Sequence, residues 1–251
     1  MHKNRKYPLD ESFFEHIDTE EKAYWLGFIM ADGYNNIKKK YVNIRLSLID
    51  ETHLLKFAEA LKTTKPIRRV IAKAYKSDKY ESCQLTIDSS KISKQLELLG
   101  VDGTKSKSLA FPKILPTDLY RHFIRGYFDG DGSISWNYKL CKATMCICST
   151  TAFCQSLKDY FRSEYDIGGT IIYNNKKPNS CAQLHICGNR QIHFLLTWMY
   201  DSGSVFLNRK LEASNKIIKE IFKVKSRISH IPKKYEFELV RQKHNICNIT
   251  R

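Results

Sequence analysis

The chain has 251 residues, 42% of them hydrophobic and 12% aromatic, and carries 42 Lys and Arg against 26 Asp and Glu for a net charge of +16. That length suits one compact domain of two halves or two small domains, and the absence of any apolar run near ~18 residues excludes an ordinary membrane-spanning helix. The excess of positive charge points to a polyanionic partner, most often nucleic acid, with plain solubility as the simpler alternative.

From the N-terminus, Met1–Lys6 is basic but leads into acidic and aromatic residues, unlike a signal peptide. An intracellular protein is expected (cytoplasm, nucleoid or organelle matrix), not a secreted one. Asp18-Thr19-Glu20-Glu21 is a helix start, with a capping side chain and acids in the first turn, and the helix runs to Asp32-Gly33. Tyr41 to Ile49 alternates, with Ile44, Leu46 and Leu48 on one face and Asn43, Arg45 and Ser47 on the other, the pattern of a half-buried strand. Asp50 is placed to cap a helix whose apolar set is Leu54, Phe57, Ala58 and Leu61. Strands near Ile67–Tyr75 and Tyr80–Ile87 follow, then a helix through Ile92, Leu96 and Leu99 stopped by Gly100.

The same order then recurs. A helix from Pro116-Thr117-Asp118 to Asp131 precedes strands near Ser133–Asn137 and Ala143–Cys148, and Ser149 or Thr150 caps the next helix. Strands near Thr170–Tyr173 and Gln183–Cys187 and helices near Ile192–Tyr200 and Leu207–Phe222 complete the unit. Residues 224–251 are basic and weakly periodic, a tail or loose extension. Trp25-Leu26-Gly27-Phe28-Ile29-Met30-Ala31-Asp32-Gly33 reappears 99 positions later as Ile124-Arg125-Gly126-Tyr127-Phe128-Asp129-Gly130-Asp131-Gly132. Ile67–Ile71 matches Ile167–Ile171, and Cys83–Ile87 matches Ala182–Ile186, in the same order. Several matches in order read as a duplicated unit, dividing the chain into 1–112, 113–223 and the tail.

The repeated motif has two costly features. Gly27 with Ala31, and Gly126 with Gly130, place small residues four apart, and glycine inside a helix costs about 0.5–1 kcal/mol relative to alanine. Close approach of another backbone is the usual compensation, and the matching helix is the obvious partner. Each helix also ends on an aspartate, where its dipole favours a cation. Two carboxylates converging at two such ends would suit a hard divalent ion with oxygen ligands; taken singly, each is equally well an acid opening a turn before glycine.

The eight cysteines, Cys83, Cys141, Cys146, Cys148, Cys154, Cys181, Cys187 and Cys247, include no Cys-x-x-Cys pair. Buried reduced thiols are expected rather than zinc or disulfides. Cys181, His185 and Cys187 are the one grouping that resembles a ligand set.

From about residue 10 to 222 the chain closely resembles the LAGLIDADG homing endonucleases, in their single-chain form with two motifs. The resemblance implies an α+β fold: a pseudo-twofold pair of αββαββα units with a central two-helix interface and curved antiparallel DNA-binding sheets. It implies a monomer that makes a double-strand break at a long asymmetric duplex site of about 20 base pairs, which spans roughly 70 Å. By the same resemblance Asp32 and Asp131 bind magnesium or another divalent cation such as manganese, helped by the carbonyls of Ala31 and Gly130. Lys105 and Lys210 correspond to the family's lysines near the metals, with a solvated surface lysine as the alternative for each. Met30 departs from the motif's usual acid, retained as Asp129 in the second copy, so the halves are not expected to be equivalent.

The candidate DNA-reading side chains are Asn43, Arg45, Ser47, Arg69, Lys73, Gln84 and Thr86 in the first unit. In the second they are Ser135, Asn137, Lys139, Thr170, Asn174, Gln183 and His185. Arg, Asn and Gln can make paired contacts to base edges, though a solvated strand face explains any single one. A catalytically silent DNA-binding regulator would keep the sheets and lose both acids, which are present here. An intron RNA maturase on the same scaffold stays open, whereas the absence of self-splicing residues at the ends speaks against an intein.

Overall fold

The computed structural model describes residues 5–73, 79–103, 108–112, 115–173, 181–201 and 203–224, without the side chains of residues 72, 73, 79 and 80. Lys105, Asn174, Cys247 and the tail from residue 225 lie outside the described residues, as does the side chain of Lys73.

Helix α1 (Glu20–Asp32) starts where Thr19 Oγ1 accepts the backbone N–H of Lys22 at 3.3 Å, with Glu20 and Glu21 in the first turn. Ala23 through Ala31 are all buried, so α1 is covered on every side rather than along one stripe, as befits a helix inside a molecule. It stops because Gly33 turns to extended backbone while its N–H closes onto Ile29 O, and the chain passes straight into β1 (Gly33–Asn36). Then come β2 (Tyr41–Ser47), α2 (Glu51–Ala60), β3 (Arg68–Lys73), β4 (Lys79–Asp88) and α3 (Ser90–Leu98). Gly100, at φ +90°, ends α3 in the left-handed region that glycine enters without cost.

The second unit repeats this: α4 (Tyr120–Asp131), β5 (Gly132–Asn137), β6 (Lys142–Ser149), α5 (Thr151–Tyr165), β7 (Thr170–Ile172), β8 (Ala182–Cys187) and α6 (Asn189–Tyr200). An added helix, α7 (Asn208–Lys223), follows. Thr150, not Ser149, caps α5, accepting the N–H of Phe153 at 3.1 Å. The sheets are antiparallel throughout, in order β1-β2-β4-β3 and β5-β6-β8-β7. The fold is therefore α+β, with two αββαββα units. On β2, Val42, Ile44 and Leu46 are buried, and on β6 Ala143, Met145 and Ile147. Each sheet thus packs one face on the helices and leaves the other open.

Three sequence expectations change. β1 was not foreseen, because Gly-Tyr-Asn-Asn has no apolar alternation; it forms because the ladder to β2 pairs Gly33 with Ile44. The likeness of Ile67–Ile71 to Ile167–Ile171 does not mark equivalent positions: Arg68 pairs with Gln84, whereas Ile172 pairs with Gln183. Asp50 makes no side-chain cap on α2; its buried carboxylate instead accepts Arg209 Nε from α7 at 2.8 Å.

The units meet through α1 and α4. A methyl group placed on Gly27 would lie 2.1 Å from the carbonyl oxygen of Phe123, and one on Gly126 2.0 Å from that of Tyr24. One on Gly130 would lie 2.4 Å from Ala31 Cβ. The small residues therefore permit direct contact between the two helix backbones. Because the obstacle is backbone, neither helix can yield locally. Gly126→Ala is expected to destabilise the protein by about 3 kcal/mol or more, and Gly27→Leu to prevent folding. Urea unfolding checks this, and an unchanged midpoint for Gly126→Ala would contradict the packing.

Candidate active site and nucleic-acid face

The contact between α1 and α4 brings their C-terminal ends together. Asp32 is exposed and Asp131 half-exposed, and Asp32 Oδ2 would lie 3.4 Å from a Cβ on Gly130, the residue before Asp131. A Cβ there would meet that carboxylate at ordinary contact distance but clash with Ala31 Cβ at 2.4 Å, so the glycine is what lets the two helix ends come this close. Lys210, on the first turn of α7, is buried over the Phe128 ring at 5.2 Å and donates through Nζ to Gly132 O. Burial, helped by the charge of Arg209, lowers its ammonium pKa, while Asp129, Asp32 and Asp131 push it up. The lysine is thus within electrostatic reach of both motif carboxylates. Oxygen donors at two negative helix ends fit a hard divalent cation by their chemistry. Among the described residues no group of three or more His, Cys, Asp or Glu side chains is arranged to hold a metal.

α7 is fixed by a polar hub that sequence reasoning did not find. Asp129 is fully buried and accepts from Tyr24 Oη at 2.6 Å, Leu207 N at 2.7 Å, and Tyr200 Oη. Burial raises its carboxyl pKa, and those three hydrogen bonds oppose the rise. Arg125, also fully buried, donates to Val205 O (2.9 Å), Met199 O (2.8 Å) and Glu20 Oε1 (2.8 Å). Glu20 in turn accepts Ser204 N at 2.5 Å. The segment between α6 and α7 is therefore held by both central helices. Lys56 of α2 adds bonds to Phe206 O and Asn208 Oδ1. The motif's repeated spacing signalled Asp129, but its partners lie far along the chain.

His53 closes the hub, with Nε2 3.0 Å from Tyr24 Oη. Burial, with the charges of Lys56 and Arg209, takes its pKa down to about 3. A base whose folded pKa is depressed adds stability above its unfolded pKa near ~6.5, and that stability is lost as pH falls toward the folded value. From pH 7 to 5 the wild type should lose about 2 kcal/mol through this group, at ~1.4 kcal/mol per unit. His122, taken down to about 4 mainly by burial, adds in the same direction. Urea unfolding of His53→Phe at the two pH values should show a correspondingly smaller loss, and an identical loss would contradict the assignment.

The open faces of the sheets carry most of the expected reading residues. Asn43, Arg45 and Ser47 on β2 pair with Thr86, Gln84 and Ser82 on β4. Ser135 and Asn137 on β5, Gln183 and His185 on β8 and Thr170 on β7 share the second face. Lys139 is exposed in the turn between β5 and β6. Arg69 is a correction: it pairs with buried Cys83, so it lies on the helix-side face, and its guanidinium clasps Glu51 of α2 at 2.7 and 2.8 Å. Tyr34, Arg68, Ser133 and Thr144 belong to the open faces and had not been singled out. The alternation opposite Asn43 and Gln84 is the signal that would have found them.

The expectation of buried thiols holds for Cys83 and Cys154 alone among the described cysteines, all of which are free. Cys146 and Cys148 alternate with buried Met145 and Ile147 and so face the open side, as does Cys187. Cys181 precedes β8, and its thiol is bonded to Ser149 O at 3.2 Å.

Two units, a glycine-lined pair of central helices and a carboxylate at the end of each define a protein with the fold of single-chain LAGLIDADG homing endonucleases. Residues 118–197 match a family model described as a LAGLIDADG-like domain. Similar solved structures include the homing endonuclease I-WcaI bound to its DNA recognition sequence, at 12% identity and TM-score 0.58, covering 81% of this chain and 87% of that one. The LAGLIDADG homing endonuclease I-GzeII in complex with its DNA target has 14% identity and TM-score 0.52, covering 89% and 97%. The N-terminal LAGLIDADG domain of DUF199/WhiA has 19% identity and TM-score 0.50, covering 82% and 93%. A curated relative, the replication factor C small subunit of Methanocaldococcus jannaschii, is 29% identical over 123 residues, 49% of this chain but 6% of that protein's length. No helix among the described residues is long and apolar enough to cross a membrane.

Proposed function

We infer that the protein is a site-specific DNA endonuclease that acts as a single chain and cuts both strands of a long asymmetric duplex site. The observation that carries this reading is the convergence of Asp32 and Asp131 at the paired helix ends, with the Lys210 ammonium in reach of both. A catalytically silent DNA binder of the same fold has no use for a carboxylate at each of two converging negative helix ends, where a cation is favoured.

In this reading Asp32 and Asp131, with the carbonyls of Ala31 and Gly130, hold magnesium or manganese. When bound, such a cation supplies Lewis-acid polarisation of the phosphate and an acidified water. Lys210 stabilises the charge that develops on the phosphate oxygens; its contact with Gly132 O and the hub around Asp129 keep it from swinging away. For the first unit the lysine proposed for this role is Lys105. The open sheet faces lie along the duplex, and the net charge of +16 supplies phosphate attraction without sequence preference.

The test is incubation with a library of random duplexes and magnesium, followed by sequencing of the cut ends. Asp32→Asn and Asp131→Asn keep the side-chain shape and remove the charge that holds the cation. Each should abolish double-strand cleavage while leaving the fold and DNA affinity intact. Lys210→Met should slow cleavage about 10²-fold at unchanged affinity. Double-strand cleavage at wild-type rate by either asparagine variant, or no cleavage by the wild type at any single site, would overturn the reading.

A further inference from the structure

The two open faces are built on the same ladder but carry different chemistry. Gly33 pairs with Ile44 and Gly132 with Ile147, which makes Arg45 and Cys148 equivalent positions. Arg45 pairs with Gln84, and Gln84 with Arg68; in the second sheet Cys148 pairs with Gln183, and Gln183 with Ile172. The same transverse row is therefore Arg45–Gln84–Arg68 in one half and Cys148–Gln183–Ile172 in the other. Glutamine is kept, while both arginines are replaced by a thiol and an exposed isoleucine.

Arg45 is also held ready. Its Nε donates to Ser82 Oγ at 2.9 Å, and Ser82, 1% exposed, donates onward to Val70 O at 3.2 Å. With Nε engaged, the exposed guanidinium presents its two terminal nitrogens as a fork. That fork matches the O6 and N7 acceptors of guanine in the major groove, whereas an isoleucine side chain can meet only the thymine methyl. Three adjacent strands span about 10 Å, close to three base-pair steps.

We propose that Arg45 and Arg68, which flank Gln84 in this row, read guanine, with Ser82 as the positioning residue of Arg45. The target is accordingly unequal: the half-site on the first sheet carries guanine at the step met by Arg45. The corresponding step of the other half-site is read without arginine. This rests on the reading of the open faces as the duplex-contacting surfaces.

The target selected by the wild-type protein from random duplexes is resynthesised with each base pair replaced in turn, and affinity is measured for wild type, Arg45→Ala, Ser82→Ala and the double variant. Arg45→Ala is expected to lose about tenfold or more discrimination at one G·C pair, with affinity for a scrambled duplex little changed. Ser82→Ala should lose part of that discrimination at the same pair and nothing further in the Arg45→Ala background; a merely structural role for Ser82 would weaken every sequence alike and add to the arginine effect. Guanine discrimination that survives Arg45→Ala, or a uniform loss across all sequences, overturns the proposal while leaving site-specific cleavage standing. A wild type with no preferred sequence overturns both.

Discussion

Backbone meeting backbone between Gly27 and Gly126 is the constraint on which the rest of the molecule depends. A helix pair separated by side chains would hold the two units several ångströms farther apart, and Asp32 and Asp131 would become two unrelated helix ends. With the glycines in place, α1 and α4 cross so closely that their final turns share one small volume. The sheets start at Gly33 and Gly132, one residue after each carboxylate, so the same contact that sets the acidic pair also sets where both open faces begin. The acidic pair and the two open faces are geared to a single interface.

The polarity of that interface explains why a buried lysine is tolerated. Both helices direct their negative ends to one place, and both end on an acid, which would be unfavourable without a counter-charge. Lys210 supplies part of that charge from a third helix, and its ammonium is disfavoured by burial and favoured by the carboxylates around it. A group balanced in this way is held by the site rather than by its own helix. The hub of Asp129, Arg125 and Glu20 holds α7 at the required height, since four of its hydrogen bonds fall on the backbone of Met199, Ser204, Val205 and Leu207.

The motif helices were legible in the sequence because glycine and the terminal aspartate recur at a fixed offset. The central strands were legible because Ile44 and Leu46 alternate with polar neighbours. What stayed hidden has specific causes. β1 contains no periodic residue and exists through its partner. β3 is an edge strand whose consecutive arginines do not say which one faces outward, so Arg69 was placed on the wrong face. The thiols misled because cysteine is small and apolar by habit, while on β6 the larger Met145 and Ile147 take the core side. The hub was beyond reach because Arg125 binds carbonyls of Met199 and Val205, and nothing local announces a contact across that much chain.

Asp129 finally bears on the history open to such a fold. The position equivalent to Tyr24, which donates to Asp129, is Phe123, and that equivalent to Glu20, which receives Arg125, is Leu119. A symmetric pair made from two copies of the second unit would bury two carboxylates each short of a hydroxyl donor, and two guanidinium groups without their acid. A pair of first units would bury neither of those groups, but it would leave the buried Asp50 without Arg209 and would have no anchor for α7. Each half has become the other's solvent. A protein assembled in this way cannot return to a dimer of identical halves by the loss of its linker alone; several buried positions would have to revert together.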